Sequence, residues 1–337
     1  MSGSKFLKLL VGLLAALGAI AGSPASAWNA RGHMIVAAIA WERMTPGARA
    51  AASRLLALNP QHGGWAVGIP AGERDRIAFM EAATWADDIR GMACTGRPEC
   101  YRDEGYTPAD AGQDLNIGFA DRRVRPYWHF KNLAFTTDGT PMRTPFAPNA
   151  ETQIIAFSQS LSNATLGDEA KSYNLTWLLH LVGDVHQPLH ATARFSQGNP
   201  NGDSGGNRQI VCRPPPAKCD TERRPDKLHG LWDQALGTGP SPTAARAKAL
   251  KLVQQADQPG SFLATVVERT DLDADVPQWM MESLELAKKY AYAPPIGDGR
   301  GPFFPTPAYR AAAGSIAEQQ VVIAGERLAR MLNAAFP

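Results

Sequence analysis

Two histidine–aspartate pairs at helical spacing are the side chains best suited to chemistry in this sequence. His180 precedes Asp184 by four residues, and His229 precedes Asp233 by the same interval. On a helix both members of such a pair lie on one face, where an imidazole and a carboxylate can reach one metal ion. Four of the seven histidines fall within residues 180–229. The pattern therefore predicts metal binding, whereas one such pair alone would equally fit a surface hydrogen bond.

Further candidate ligands raise the count above what one ion requires. His190 follows Pro188, which ends or bends a helix and lets the histidine turn back toward the same side. The candidate ligand side chains are His33, Asp87, His129, His180, Asp184, His190, His229 and Asp233. A catalytic zinc ion needs three protein ligands, so this set indicates a multinuclear site. Paired metals are the usual arrangement for displacement at phosphorus, and the HExxH motif of zinc proteases is absent.

The first 27 residues have the pattern of a secretory signal peptide. A positively charged start precedes an uncharged apolar run over residues 9–20, and Ala25 and Ala27 form a small-residue cleavage signature. We predict that residues 1–27 are removed, that the mature chain begins at Trp28 without a membrane span, and that the protein is exported, to the periplasm or out of the cell.

Export permits disulfide bonds. Cys94 and Cys100 form one locally spaced pair, and Cys212 and Cys219 form another. Two local bridges are the simplest connectivity, although the other two connectivities of four cysteines stay open. Zinc ligation by cysteine is disfavoured in an oxidising compartment.

Composition and charge exclude a broad class of nucleic-acid-binding modules. The 337 residues include 34 Lys and Arg against 32 Asp and Glu, and removing residues 1–27 would leave 32 of each sign because Lys5 and Lys8 depart. A binding surface built from lysine and arginine needs a larger basic excess. The hydrophobic fraction of 44% is typical of a folded protein.

Helical signals dominate the elements that must position the candidate ligands. Thr45, Ser241 and Thr306 each precede a proline, the pairing of an N-cap residue with proline at the first helical position. Residues 309–335 carry apolar side chains at steps of three and four. These signals predict helices that begin at the three capped positions.

Strand signals are scarce. Residues 127–135 have an extended pattern, and residues 208–212 resemble one arm of a short hairpin. No repeat or linker divides the chain. We therefore predict one all-α domain over residues 28–337 with at most a short β-hairpin.

Five stretches of the mature chain resemble the zinc-dependent, single-strand-preferring S1/P1 nuclease family, and they occur in the family's order. The stretches are Trp28–His33, Thr84–Arg90, Trp128–Phe130, His180–His190 and Leu228–Asp233. The resemblance implies a mostly helical, phospholipase C/nuclease-like fold that holds three Zn²⁺ ions.

The resemblance also implies how the ligands divide among the three ions. One ion would take Asp87, His129, His180 and Asp184. A second would take His33, the α-amino nitrogen and carbonyl oxygen of Trp28, and Asp184 as a bridge. The third would take His190, His229 and Asp233. Since the amine of Trp28 is free only after cleavage, we expect the precursor to be inactive.

Roles near the substrate follow from the same resemblance. Asp184 would bridge two ions and Asp87 would orient the nucleophile, and both would act in catalysis. Arg90 would act with them by contacting the scissile phosphate. Phe130 would stack on a base. In the same region, Asn132 replaces an acid that reads the base edge in some members.

Two further polar residues are expected close to the site. Asn207 would contact phosphate. His186, between two ligands in sequence, is expected beside them or at the rim of the site.

The expected activity is hydrolysis of single-stranded DNA and RNA to 5′-phosphorylated products by a monomer that also accepts 3′-mononucleotides. Two alternatives stay open. One is a zinc-dependent phospholipase C acting on phospholipid head groups, and the other is an exported zinc-binding protein without activity.

The positive charge of three Zn²⁺ would exceed the negative charge of the three ligand carboxylates, so attraction for phosphate would be concentrated in one cleft.

Overall fold

A computed structural model of the protein describes residues 28–94, 100–106, 118–212, 226–265 and 272–337. Within these ranges the chain forms ten α-helices and one pair of short strands, which confirms the predicted mostly helical fold. None of the described helices is both long and apolar enough to cross a membrane.

The helices vary from one and a half turns to eight turns in length. They are α1 (Ala30–Arg43), α2 (Pro46–Leu56), α3 (Arg74–Ala82), α4 (Trp85–Gly91), α5 (Ala150–Leu161), α6 (Asp168–Val185), α7 (Leu228–Asp233), α8 (Pro242–Ala256), α9 (Leu272–Leu286) and α10 (Pro307–Ala335). The strands are β1 (Leu133–Thr136) and β2 (Thr192–Phe195).

Three helices begin where the sequence predicts them. The side chains of Thr45, Ser241 and Thr306 each accept a hydrogen bond from the backbone N–H three residues further on, at the starts of α2, α8 and α10. Each cap satisfies one of the donors that a helix start leaves without an intrahelical partner. The proline that follows each cap needs no such partner.

Helix α6 is the central helix of the fold. Every residue from 172 to 190 is buried, because α1, α2, α4, α5 and α10 pack around it. A helix surrounded in this way has no solvent-facing side, so its polar residues need partners inside the protein. His180 and Asp184 are therefore held in the interior and not on a surface stripe.

The two strands pair in parallel, from Leu133 opposite Thr192 to Thr136 opposite Phe195, and so do not form a hairpin. The segment 208–212, predicted as a hairpin arm, makes two isolated bridges among the described residues, an antiparallel one from Ile210 to Lys227 and a parallel one from Val211 to Phe303. Both strands follow short 3₁₀ turns, and the sequence carries no signal for such a long-range pairing.

The disulfide prediction is confirmed where the structure describes both partners. Cys94 and Cys100 are bonded to each other. Cys212 is also disulfide-bonded, and its predicted partner Cys219 lies outside the described residues. The predicted signal segment, residues 1–27, lies outside them as well.

Candidate metal centre

The eight candidate ligand side chains converge into three clusters. Cluster 1 contains His33, His180 and Asp184; cluster 2 contains Asp87, His129 and His180; cluster 3 contains His190, His229 and Asp233. The potential ligand atoms within each cluster lie within 4.8 Å of one another. The separate sequence stretches thus meet in space, with His180 common to clusters 1 and 2.

Asp184 presents one carboxylate oxygen to each of the first two clusters. Its Oδ1 lies 3.3 Å from His33 Nε2 and its Oδ2 lies 3.0 Å from His129 Nδ1. His33 Nε2 and Asp184 Oδ1 are buried, yet neither makes a hydrogen bond among the described residues. Two adjacent buried polar atoms of this kind fit a cation that both could contact.

A glycine allows α1 to approach α6 at cluster 1. A Cβ atom on Gly183 would lie only 2.8 Å from His33 Nδ1. The approach stacks the His33 ring on the His180 ring, with centroids 3.9 Å apart and planes 14° from parallel. Gly183 therefore decides how near His33 comes to Asp184.

Backbone carbonyls orient the imidazoles. The Nδ1 atoms of His180, His190 and His229 lie 2.8, 2.7 and 2.7 Å from the carbonyls of Ala83, His129 and Gly205, respectively. Donation from Nδ1 leaves the Nε2 lone pair free, which is the usual arrangement of a metal-binding histidine.

The Nε2 atoms of His190 and His229 face each other at a distance that fits a metal ion between them. His190 Nε2 and His229 Nε2 lie 2.9 Å apart. Two lone pairs at this distance repel each other unless a proton or a cation lies between them. Tetrahedral zinc with bonds of about 2.0–2.1 Å to nitrogen separates two ligand atoms by roughly 3.3 Å, which is comparable with the 2.9 Å between these two nitrogens. The donor set, imidazole and carboxylate, is also one that zinc accepts.

Burial and charge decide the protonation of these side chains. Burial lowers the pKa of His129 to about 4 and that of His229 to about 3. Burial acts on His180 in the same direction, but the carboxylates of Asp184 and Asp87 outweigh it and raise the pKa of His180 to about 9. His129 and His229 are thus neutral near pH 7, ready to ligate, whereas His180 carries a proton that a metal must displace.

Gln187 connects α7 with the turn that carries His190, a role that the spacing of the ligands does not predict. Its Nε2 donates to Asp233 Oδ1 at 2.7 Å, and its Oε1 accepts from the backbone N–H of Leu189 at 2.6 Å. The first bond orients a carboxylate on α7, and the second holds the turn that carries His190. The sequence signal for this role was the position of Gln187, a polar residue directly before Pro188 at the end of a buried helix.

A glycine-rich loop closes over cluster 3. Gly205 has a φ of +61°, and a Cβ there would lie 2.2 Å from the carbonyl oxygen of Leu189. Only glycine allows this approach, through which the Gly205 carbonyl reaches His229. The loop is anchored by the buried Asp203, which accepts hydrogen bonds from the Arg194 backbone N–H at 2.9 Å and the Tyr292 hydroxyl at 2.8 Å.

Trp28, the predicted first mature residue, is fully buried beside cluster 1. Its Cδ1 lies 3.9 Å from the position that a Cβ of Gly183 would take. The next residue, Asn29, donates its backbone N–H to the carbonyl of Asp233 at 3.2 Å. The start of the described chain is thus held between α6 and α7.

Arg90 lies beside cluster 2. Its Nη1 is 3.2 Å from Asp87 Oδ1, and its Nη2 donates to the Tyr106 hydroxyl at 3.0 Å. Phe130 is half-buried, with its ring 6.2 Å from that of Tyr106 and 6.3 Å from that of Phe146. Tyr106 was not singled out from the sequence.

The remaining predicted residues lie in different surroundings. Asn132 is half-buried, on the segment that leads into β1. Asn207 is also half-buried, and its side-chain amide donates to the Ser204 carbonyl at 2.9 Å. His186 is not at the rim: it is fully buried, and its Nε2 lies 2.8 Å from Arg327 Nη1. Helical rotation explains this, because two residues turn the chain by about 200° from Asp184.

Comparison with known proteins shows similarity over most of the chain. The sequence model of the S1/P1 nuclease family matches residues 28–337. Endonuclease 4 from Arabidopsis thaliana is 30% identical over 202 aligned residues, and the match covers 53% of this chain and 56% of that protein. The match thus spans about half the length of this curated relative.

Proposed function

Because the chain belongs to the S1/P1 nuclease family, we propose that it is a three-zinc phosphodiesterase that hydrolyses single-stranded DNA and RNA. The products carry 5′-phosphates, and 3′-mononucleotides are dephosphorylated as well. The observation that carries this proposal is the convergence of eight histidine and aspartate side chains into three neighbouring clusters.

The proposed ligand sets start from the clusters, with His180 assigned to the second ion only and Asp184 shared by the first two. The first ion would bind His33, Asp184 and the amino nitrogen and carbonyl oxygen of Trp28; the second would bind Asp87, His129, His180 and Asp184; the third would bind His190, His229 and Asp233. The two oxygens of Asp184 face different clusters, which supports the bridging role. The third set has three protein ligands and would leave a fourth position for water or substrate, whereas the first two sets would bind water as a fifth ligand.

Zinc ions bound here would lower the pKa of water and offset negative charge at phosphorus. The protein's own side chains then orient the reactants. Asp87 is the partly exposed carboxylate of the first two clusters, with 14% of its side chain accessible, so it can accept a hydrogen bond from an incoming water. Arg90, beside it, offers planar N–H donors to the phosphate oxygens.

The burial of the candidate ligand side chains supports a preference for single-stranded substrates. His129 and His190 are almost fully buried, so a phosphate must leave the surface of a duplex to approach them. An unpaired strand can place a base on Phe130, which follows His129 directly. Stacking on an aromatic ring contributes about 1–3 kcal/mol per base and needs an unpaired base.

A parallel assay tests this proposal. Protein that begins at Trp28 is given single-stranded DNA, single-stranded RNA, duplex DNA and phosphatidylcholine, and its zinc content is measured. We expect about three zinc ions per chain, because the imidazole and carboxylate ligands are those of catalytic zinc sites. We also expect the single strands to be cleaved faster than duplex DNA. The matched control is His62→Gln, which changes a histidine outside the three clusters.

Two results would overturn the proposal. Cleavage of phosphatidylcholine without cleavage of nucleic acid would identify a phospholipase C. A full zinc content without hydrolysis of any substrate would identify a zinc-binding protein without activity.

A further inference from the structure

Tyr106 is an exposed aromatic residue next to the proposed catalytic side chains. Its accessible fraction is 45%, which is high for a large aromatic ring. Its hydroxyl accepts a hydrogen bond from Arg90 Nη2 at 3.0 Å. Its ring lies 6.2 Å from the ring of Phe130, at an angle of 38°. One side chain therefore contacts both the arginine beside cluster 2 and the aromatic residue after His129.

The hydroxyl contact restrains Arg90 without neutralising it. Only 7% of the Arg90 side chain is accessible, and its other terminal nitrogen is 3.2 Å from Asp87 Oδ1. Two contacts at separate nitrogens fix the plane of a guanidinium group. Because a phenol is a neutral acceptor, it adds no negative charge beside the guanidinium group.

The ring of Tyr106 continues an aromatic surface. Phe130 is half-buried, and Phe146 packs against it nearly edge-on at an angle of 86°. Tyr106 is the exposed member of this group of three. An aromatic face in this position can receive a flat, unpaired base beside the phosphate that Arg90 binds.

We infer that Tyr106 is a nucleotide-binding residue of this site, with its ring stacked on a base next to the scissile phosphate. Its hydroxyl acts as a positioning group for Arg90. This inference rests on the proposed function and adds to it a residue that determines how the substrate strand is held.

Two substitutions separate the ring from the hydroxyl. Tyr106→Phe keeps the ring, and Tyr106→Leu removes both features. Each variant is assayed on a single-stranded oligonucleotide with one cleavable phosphate, and on the same strand with abasic nucleotides flanking that phosphate. The matched control is Phe304→Leu, which removes another exposed aromatic ring, 50% accessible.

The two variants should differ in KM and kcat. Tyr106→Phe should lower kcat by about tenfold on both strands with KM unchanged, since it removes a hydrogen bond to a charged group. Tyr106→Leu should in addition raise KM by about tenfold on the normal strand, from lost stacking, and not on the abasic strand.

The outcomes distinguish this inference from the proposed function. If the wild-type protein cleaves neither strand, the proposed function fails. If the wild type cleaves the normal strand and Tyr106→Leu behaves like Phe304→Leu, the inference is overturned. An equal rise in KM on both strands would overturn the stacking role, and an unchanged kcat in Tyr106→Phe would overturn the positioning role.

Discussion

His190 lies 2.7 Å, through its Nδ1, from the backbone carbonyl oxygen of His129. A candidate ligand of cluster 3 is therefore oriented by the main chain of a candidate ligand of cluster 2. The parallel pairing of β1 with β2 begins a few residues after both histidines and holds the two segments in register. The main chain therefore fixes the position of cluster 3 relative to cluster 2.

Asp184→Asn should remove metal from two clusters at once. The carboxylate faces both clusters 1 and 2, and an amide cannot supply the same negative charge. We expect the zinc content to fall by more than one ion per chain and the rate on single-stranded DNA to fall by about three orders of magnitude. Metal analysis of the purified variant measures the first effect. Asp233→Asn, which belongs only to cluster 3, is the comparison and should lose a single ion.

Gln187→Leu should weaken zinc binding at cluster 3 alone. The change removes the donor to Asp233 and the acceptor for the backbone of Leu189. Loss of a residue that orients a ligand typically lowers metal affinity about 10- to 100-fold. Competition with a chelator measures the affinity. Gln209→Leu is the control, because Gln209 is equally buried and its side chain makes no hydrogen bond among the described residues. Equal zinc loss in both variants would contradict the prediction.

Gly183→Ala should displace His33 from cluster 1. The new Cβ would lie 2.8 Å from His33 Nδ1, inside the contact distance of the two atoms. We expect the free energy of unfolding to fall by about 1–3 kcal/mol, as is common for overpacked interiors, and zinc to be lost from cluster 1. Gly230→Ala is the matched control on α7, since a Cβ there would meet nothing within 4 Å. Denaturant unfolding of both variants provides the test, and similar stability would be evidence against this account.

Zinc binding to the metal-free protein should release a proton from His180. In the absence of metal the two carboxylates hold the pKa of His180 at about 9, against the effect of burial. His180 thus stabilises the metal-free fold most below its unfolded pKa of about 6.5, and this contribution is lost as the pH rises through about 9. Zinc affinity should rise with pH over the same interval.

Calorimetry in buffers with different heats of ionisation counts the released protons. His180→Gln should release fewer protons than the wild type. His229→Gln should not reduce the count through its own imidazole, because burial already lowers that pKa to about 3. Release that does not depend on residue 180 would show that the proton comes from another group.

An extra residue before Trp28 should abolish activity. The proposed ligand is the free α-amine of Trp28, and a peptide bond at that nitrogen removes its ability to bind metal. Protein that retains Ala27 should lack metal in cluster 1 and show no cleavage of single strands, while its helical content stays unchanged. Circular dichroism controls for folding. Full activity of the extended protein would rule out this ligand.

Local sequence determined the parts of the site that lie within one helix. His180 with Asp184 and His229 with Asp233 share a face because four residues make about one turn. The helix starts at Thr45, Ser241 and Thr306 could be predicted for a similar reason, because a cap is a contact across three residues. The same periodicity accounts for the position of His186 in the core, whereas the sequence pattern predicts a place beside the ligands or at the rim.

The contacts that join these ligand segments to one another were decided by the tertiary structure alone. The contacts of Gln187 with Asp233 and of Tyr106 with Arg90 span segments that sequence spacing does not relate. The parallel strand pair and the approach of His33 to Gly183 depend likewise on how helices pack around α6. The residue types predicted which chemistry is possible, because ligand preference is a property of the side chain. Only packing could decide which atoms face one another, because that geometry is set by distant parts of the chain.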